Sequence, residues 1–146
     1  MAMESITDKD KDIPYGIVDL PQVSTPVRHV EKYWGNMTSI FEDGNFTVKR
    51  IFMKAGSQSS LEYHVKKREM YFIESGSLKV GVRIGRGTNK SVFLQKGDIF
   101  HIDPGLMHMR IAPEDVVIIE VSSRDDDGDS HIVEDGKKYK HIEVDD

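Results

Sequence analysis

The sequence contains no cysteine, so neither a disulfide framework nor a thiolate metal site is possible. It has no uncharged apolar run approaching the ~18 residues that a membrane span requires. The first dozen residues, MAMESITDKDKD, are polar and charged and lack the apolar stretch of a secretory signal. A soluble, cytoplasmic protein is the expectation. An excess of positive charge is missing too: 20 Lys and Arg stand against 25 Asp and Glu, a net charge of −5. Nucleic acid and anionic membrane surfaces favour clustered cations, so neither is an expected partner. The one basic cluster is Lys66-Lys67-Arg68. No segment before the C-terminal tail carries a helical period.

What is present reads as all-β. A chain of 146 residues suffices for one domain with one core. Residues 1–15 are expected to form a disordered or loosely attached arm and residues 16–146 a single domain. Residues 16–20 (GIVDL) make a short candidate strand. Alternating or apolar runs then follow at 37–41, 46–54, 61–64, 69–74, 78–84, 91–94, 99–102, 109–111 and 116–121, punctuated by Gly, Asn, Asp and Pro. Strands this short and this evenly spaced predict a sandwich or barrel. The glycine-rich segment 85–89 precedes a strand rather than a helix, so it reads as a hairpin turn and not a phosphate cradle. The tail from Arg124 is acidic and ends in a possible strand or a loose arm, and its charge run reads as a solvated segment.

Chemistry concentrates between Gly56 and His108. Glu62 and His64 are two apart on an extended stretch, which puts both side chains on one face. Glu69 lies beyond the turn Lys66-Lys67-Arg68 and can return to that face in a hairpin. His108 follows Pro104-Gly105, a turn that can bring a second strand to the same place. Two imidazoles and two carboxylates make a nitrogen–oxygen site for one divalent first-row transition metal, with Fe, Mn, Ni and Zn all open. A histidine on a strand is ordinarily a surface or core residue, so any two of these four alone carry little weight.

The spacing carries more. Gly56, five residues, Glu62, one residue, His64, four residues, Glu69, six residues and Gly76 resemble the first cupin motif, with Glu62 in place of its first histidine. Gly97, Gly105 and His108 match the second motif, with Asp103 in the usual proline place and Ala112 in that of the asparagine. The resemblance implies a cupin, a double-stranded β-helix or jelly-roll barrel. A narrower resemblance runs over roughly residues 31–140. Lys32-Tyr33-Trp34-Gly35, Val48-Lys49-Arg50-Ile51, Ser60 to His64, Glu69-Met70-Tyr71 and Ile119-Glu120-Val121 are similar to the cupin domain of type II mannose-6-phosphate isomerases. That domain carries glutamine where Glu62 stands. Lys67, Tyr71 and Ser122 depart from its arginine, tryptophan and glutamine.

This resemblance implies a metal-dependent aldose–ketose isomerase acting on a sugar phosphate. Tyr71, His101 and Lys67 are the catalytic candidates, and Lys49 and Arg50 are candidate grips for the phosphate. Each also reads as an ordinary core aromatic, strand residue or solvated cation. Cupin dioxygenases and lyases, and a non-catalytic sugar- or metabolite-binding cupin, remain as alternative readings. Open sheet edges need covering, so a homodimer paired through residues 16–20 is expected.

Overall fold

The computed structural model describes residues 16, 19–124 and 126–144. The expected N-terminal arm lies outside them, as do residues 17 and 18 of the strand expected at 16–20, through which a second copy would pair. The described residues form eleven strands: β1 (Arg28–Lys32), β2 (Gly35–Glu42), β3 (Phe46–Met53), β4 (Leu61–His64), β5 (Glu69–Ser75), β6 (Ser77–Ile84), β7 (Thr88–Gln95), β8 (Ile99–Ile102), β9 (Met107–Ile111), β10 (Val116–Ser123) and β11 (Ser130–Glu134). A 3-10 turn, Asp127–Asp129, precedes β11. None of the described helical segments is long and apolar enough to cross a membrane.

The strands make two antiparallel sheets, ordered β1-β2-β3-β10-β5-β8 and β11-β4-β9-β6-β7. The nine strands expected from residue 37 onward are present, whereas in the stretch expected at 16–20 Gly16 and Asp19 are bends and Leu20 is irregular. The glycine-rich segment closes the β6–β7 hairpin, where Arg83 pairs with Asn89 and Ile84 with Thr88. β1 was not foreseen, and β11 falls in the tail, where a strand was only one of two readings. Both are edge strands without a buried residue, β1 mostly exposed and β11 partly so, so neither shows the apolar alternation by which a half-buried strand is read.

Alternation divides the interior into two layers. Along β3 the inward side chains are Met53, Ile51, Lys49 and Thr47; along β10 they are Val116, Ile118, Glu120 and Ser122. The register sets like beside like: Val116 faces Met53, Ile118 faces Ile51, Glu120 faces Lys49 and Ser122 faces Thr47. β5 continues this with Ile73 beside Ile118, Tyr71 beside Glu120 and Glu69 beside Ser122. One end of the sandwich is therefore an apolar core, joined by Leu78, Val80 and Ile102, and the other is a buried polar layer. Burying polar groups is costly unless partners are supplied, so the polar layer marks where function sits.

Two glycines hold the frame. Gly76, at the β5–β6 corner, has φ +76° and packs so closely on the Asp115 carbonyl that a Cβ would overlap it. Gly136 lies against the Tyr33 hydroxyl and the Ser59 carbonyl, again with no room for a Cβ. It belongs to the acidic tail, which is bound to the sandwich rather than merely solvated. Gln58 Nε2 donates to the carbonyls of Gly136 and Tyr139 at 2.9 and 2.6 Å. Arg83 Nη2 donates to the Tyr139 hydroxyl at 3.0 Å, and Lys79 pairs with Glu143 at 2.7 Å.

Candidate metal centre

β4, β5 and β9 bring the four candidate ligands together in the polar layer. Glu62 on β4 lies in register with His108 on β9. The turn at Pro104-Gly105 is what delivers β9, since the Gly105 N–H donates to the His64 carbonyl at 2.7 Å. Donor atoms of Glu62, His64 and His108 lie within 4.8 Å of one another. Glu69 Oε1 lies between the imidazoles, 3.4 Å from His64 Nε2 and 3.1 Å from His108 Nε2. Glu62 Oε1 stands 3.9 Å from His64 Nε2 and is the most open of the four.

The hydrogen bonds behind the imidazoles decide what these atoms can do. His64 Nδ1–H donates to the Asp129 carbonyl at 3.2 Å, and His108 Nδ1–H to the Leu106 carbonyl at 2.8 Å. A carbonyl only accepts, so each neutral ring carries its proton on Nδ1 and presents a bare lone pair at Nε2. Two lone pairs and a carboxylate oxygen thus face one another without a donor among them. Consistently, His64 Nε2 and Glu69 Oε1 are buried and have no hydrogen-bond partner among the described residues. A proton or a cation has to occupy such a point. The electrostatics agree: burial works against charge on His64, but the Glu69 carboxylate outweighs it and raises the imidazole. Burial would raise Glu69, yet the two histidines and Lys67 hold it well below the usual carboxylate range. Two imidazoles and two carboxylates, each imidazole fixed from behind, fit a first-row divalent ion.

Lys67 Nζ sits 3.2 Å from Glu69 Oε2, so it neutralises and orients the buried carboxylate. The turn that carries Lys67 is held by Asp129, whose carboxylate accepts the N–H groups of Val65, Lys66 and Lys67 at 2.9, 3.0 and 2.9 Å. One tail residue therefore fixes both a ligand imidazole and the turn between two ligands. Its only trace in the sequence is membership of an acidic run.

The two carboxylates of the cluster, Glu62 and Glu69, line a cavity of about 310 Å³ with Lys32, Tyr33, Trp34, Lys49, Lys67, Arg110 and Glu120 among others. Of the expected substrate grips, Lys49 lines it. Arg50 does not: it is one residue out of phase, on the outer face, 3.9 Å from Glu74. His101 is corrected in the same way. It pairs with Met70, whose parity is opposite to that of Glu69 and Tyr71, and its side chain is exposed outside the sandwich. Tyr71 points inward as expected but is fully buried and does not line the cavity, and its hydroxyl accepts a hydrogen bond from Arg110 Nη1 at 3.0 Å. Burial, against the opposing Arg110 charge, pushes this phenol well above its usual range.

Two functional candidates were missed. Arg110 follows His108 by two positions and shares its face, with its guanidinium 5.0 Å from the centre of the Trp34 ring. Glu120 sits at the polar end of an otherwise apolar inward row. A signal existed for both: the parity of His108 for the first, and the break in the alternation Val116, Ile118, Glu120 for the second.

Fold and site together define a jelly-roll sandwich with a buried cluster of two imidazoles and two carboxylates at one end. The family model described as "Cupin" matches residues 26–141, and the chain belongs to the cupin family. It is similar to mannose-1-phosphate guanylyltransferase 2 of Escherichia coli O157:H7, 31% identical over 120 residues, covering 78% of this chain and 23% of that protein. It is also similar to the alginate biosynthesis protein AlgA of Pseudomonas aeruginosa, 29% identical over 122 residues, covering 80% of this chain and 24% of that one. The chain thus spans about a quarter of the length of these relatives. Among solved structures, the capsular polysaccharide assembling protein CapF of Staphylococcus aureus superposes with a TM-score of 0.67 at 19% identity, covering 76% of this chain and 35% of that one. Oxalate decarboxylase of Lactobacillus farciminis does so at 0.63 and 16% identity, covering 79% and 38%. At these identities the structural likeness shows the fold alone.

Proposed function

We propose that this chain interconverts the aldose and ketose forms of a phosphorylated sugar at a divalent metal held by Glu62, His64, Glu69 and His108. The observation that carries the reading is that Glu62 and Glu69 of this donor set line a small cavity together with the cations Lys32, Lys49, Lys67 and Arg110. A cavity of about 310 Å³ is near the lower end of the ~300–1,000 Å³ of small-molecule sites, the scale of a monosaccharide. Its four cations outnumber the three carboxylates on the same wall, Glu62, Glu69 and Glu120, and a metal on Glu62 and Glu69 would offset two of these, so the wall favours an anionic one. The relatives named above support the sugar phosphate, since one of them is named for mannose 1-phosphate.

The metal, when bound, supplies a Lewis acid for the substrate carbonyl oxygen. Lys67 keeps Glu69 ionised and in place. Lys49, together with Lys32 at the rim, is placed to meet the phosphate. The half-stacked pair of Arg110 and Trp34 closes the side wall and excludes water from the reacting carbons.

The test is to strip the protein with chelator, reload it with Mn, Fe, Ni or Zn, and follow mannose 6-phosphate and related aldose phosphates by NMR. Ketose phosphate formed only by reloaded protein, and lost in His64→Ala and His108→Ala, is the expected result. Absence of turnover with every metal, alongside a melting temperature raised by the sugar phosphate, would replace catalysis by binding alone.

A further inference from the structure

The cavity holds three carboxylates, Glu62, Glu69 and Glu120, and the first two belong to the metal cluster. Glu120 does not. It is 3% exposed, lies in register between Lys49 on β3 and Tyr71 on β5, and its Oε2 has no hydrogen-bond partner among the described residues. An unpaired carboxylate oxygen inside a sandwich is costly to maintain, and nothing in the packing of β10 calls for one, because Ile118 and Val116 fill the same inward row with apolar side chains. Three other polar groups on the wall are committed elsewhere. Lys67 is ion-paired with Glu69, Ser59 Oγ accepts the Arg110 N–H, and Ser60 Oγ accepts the Gly136 N–H. Tyr71, one strand away, is bound by Arg110.

We infer that Glu120 is the catalytic base that carries the proton between the two reacting carbons of the substrate, an assignment that rests on the isomerase reading above. In the aldose-to-ketose direction Glu120 takes the proton from C2. The C2–H pair becomes the C1=C2 bond of an enediolate, and the carbonyl π pair moves onto O1. The O2 hydroxyl proton passes to O1, O2 becomes the carbonyl oxygen, and Glu120 returns its proton to C1. Nothing is oxidised or reduced overall, and Glu120 ends as it began. Glu120 lines the same cavity as the candidate ligands Glu62 and Glu69, so a base there shares the space in which a substrate of that centre would sit.

The experiment follows exchange of the C1 and C2 hydrogens of mannose 6-phosphate and fructose 6-phosphate with D2O by NMR, using metal-loaded full-length protein. Glu120→Gln and Glu120→Asp are compared with the parent for exchange, kcat, KM and bound metal. Glu120→Gln is expected to lose roughly 10²–10⁴-fold in kcat and in exchange, with metal content and KM within about threefold of the parent; Glu120→Asp is expected to recover part of the rate. Exchange by Glu120→Gln at the parent rate would overturn the assignment and leave the isomerase reading standing. Loss of bound metal in both variants would overturn it as well, making Glu120 a support of the metal centre. A parent protein that exchanges neither sugar phosphate would remove the isomerase reading, and this assignment with it.

Discussion

Tyr71 offers the sharpest separation between a structural and a catalytic role. Its ring is fully buried in the core and its hydroxyl accepts a hydrogen bond from Arg110 at 3.0 Å. Tyr71→Phe keeps the ring and removes only that acceptor. A hydrogen bond to a charged group is worth ~1.5–3 kcal/mol. Arg110 is only partly buried and faces the cavity, where water can replace the phenol, so the lower part of that range applies: about 1.5–2 kcal/mol. For a domain of this size that lowers Tm by roughly 3–8 °C. Tyr71→Ala removes the ring as well and is expected to cost about 3–5 kcal/mol through the cavity it leaves. Differential scanning calorimetry of the two variants, with metal content measured in parallel, tests both magnitudes. The expected pattern is a graded loss of stability with metal retained by Tyr71→Phe. A Tyr71→Phe protein as stable as the parent but at least 100-fold slower would refute the structural reading and return the phenol to the catalytic machinery.

Three further outcomes follow from other contacts. Glu120 is a carboxyl whose folded pKa, about 7, exceeds its unfolded value, so it favours the fold below the unfolded value and loses that advantage as pH rises through the folded one. Glu120→Gln should therefore stabilise metal-free protein at pH 8 by up to about 3 kcal/mol, with little difference near pH 4.5; urea melts across pH check this, and a pH-independent difference would contradict it. Asp129→Ala removes the acceptor for three N–H groups of the turn between His64 and Glu69, so metal affinity should fall about 10–100-fold by competition with a chromophoric chelator. Gly76→Ala forces a Cβ into the Asp115 carbonyl at φ +76°. It should destabilise by about 3 kcal/mol or more, and a change under 1 kcal/mol in a chemical melt would show the corner to be compliant.

What could be read in advance and what could not divide along a physical line. Strands buried on one face announced themselves by period two, and β3, β5 and β10 fall where the alternation put them. Edge strands β1 and β11 bury too little to leave that trace. Parity also placed Glu62 with His64, and the same parity would have put Arg50 and His101 outside had their strand phases been worked through. Arg50 follows inward Lys49 by one position, and His101 pairs with outward Met70. The tail was misjudged because its anchors are single polar contacts, Gln58 to Gly136 and Tyr139 and Asp129 to the 65–67 turn, which join residues more than sixty positions apart.

By itself the sequence determined the fold class, the absence of thiolate chemistry and the ligand spacing, because each depends on residue type and short-range period. Only the tertiary structure decided that Glu69 Oε1 stands between two outward-tied imidazoles, that Tyr71 belongs to Arg110, and that Glu120 is the cavity carboxylate outside the metal cluster. Those facts depend on cross-strand register and on which carbonyl waits behind each ring. Neither is local, and a pairing shifted by one residue would reverse every one of them.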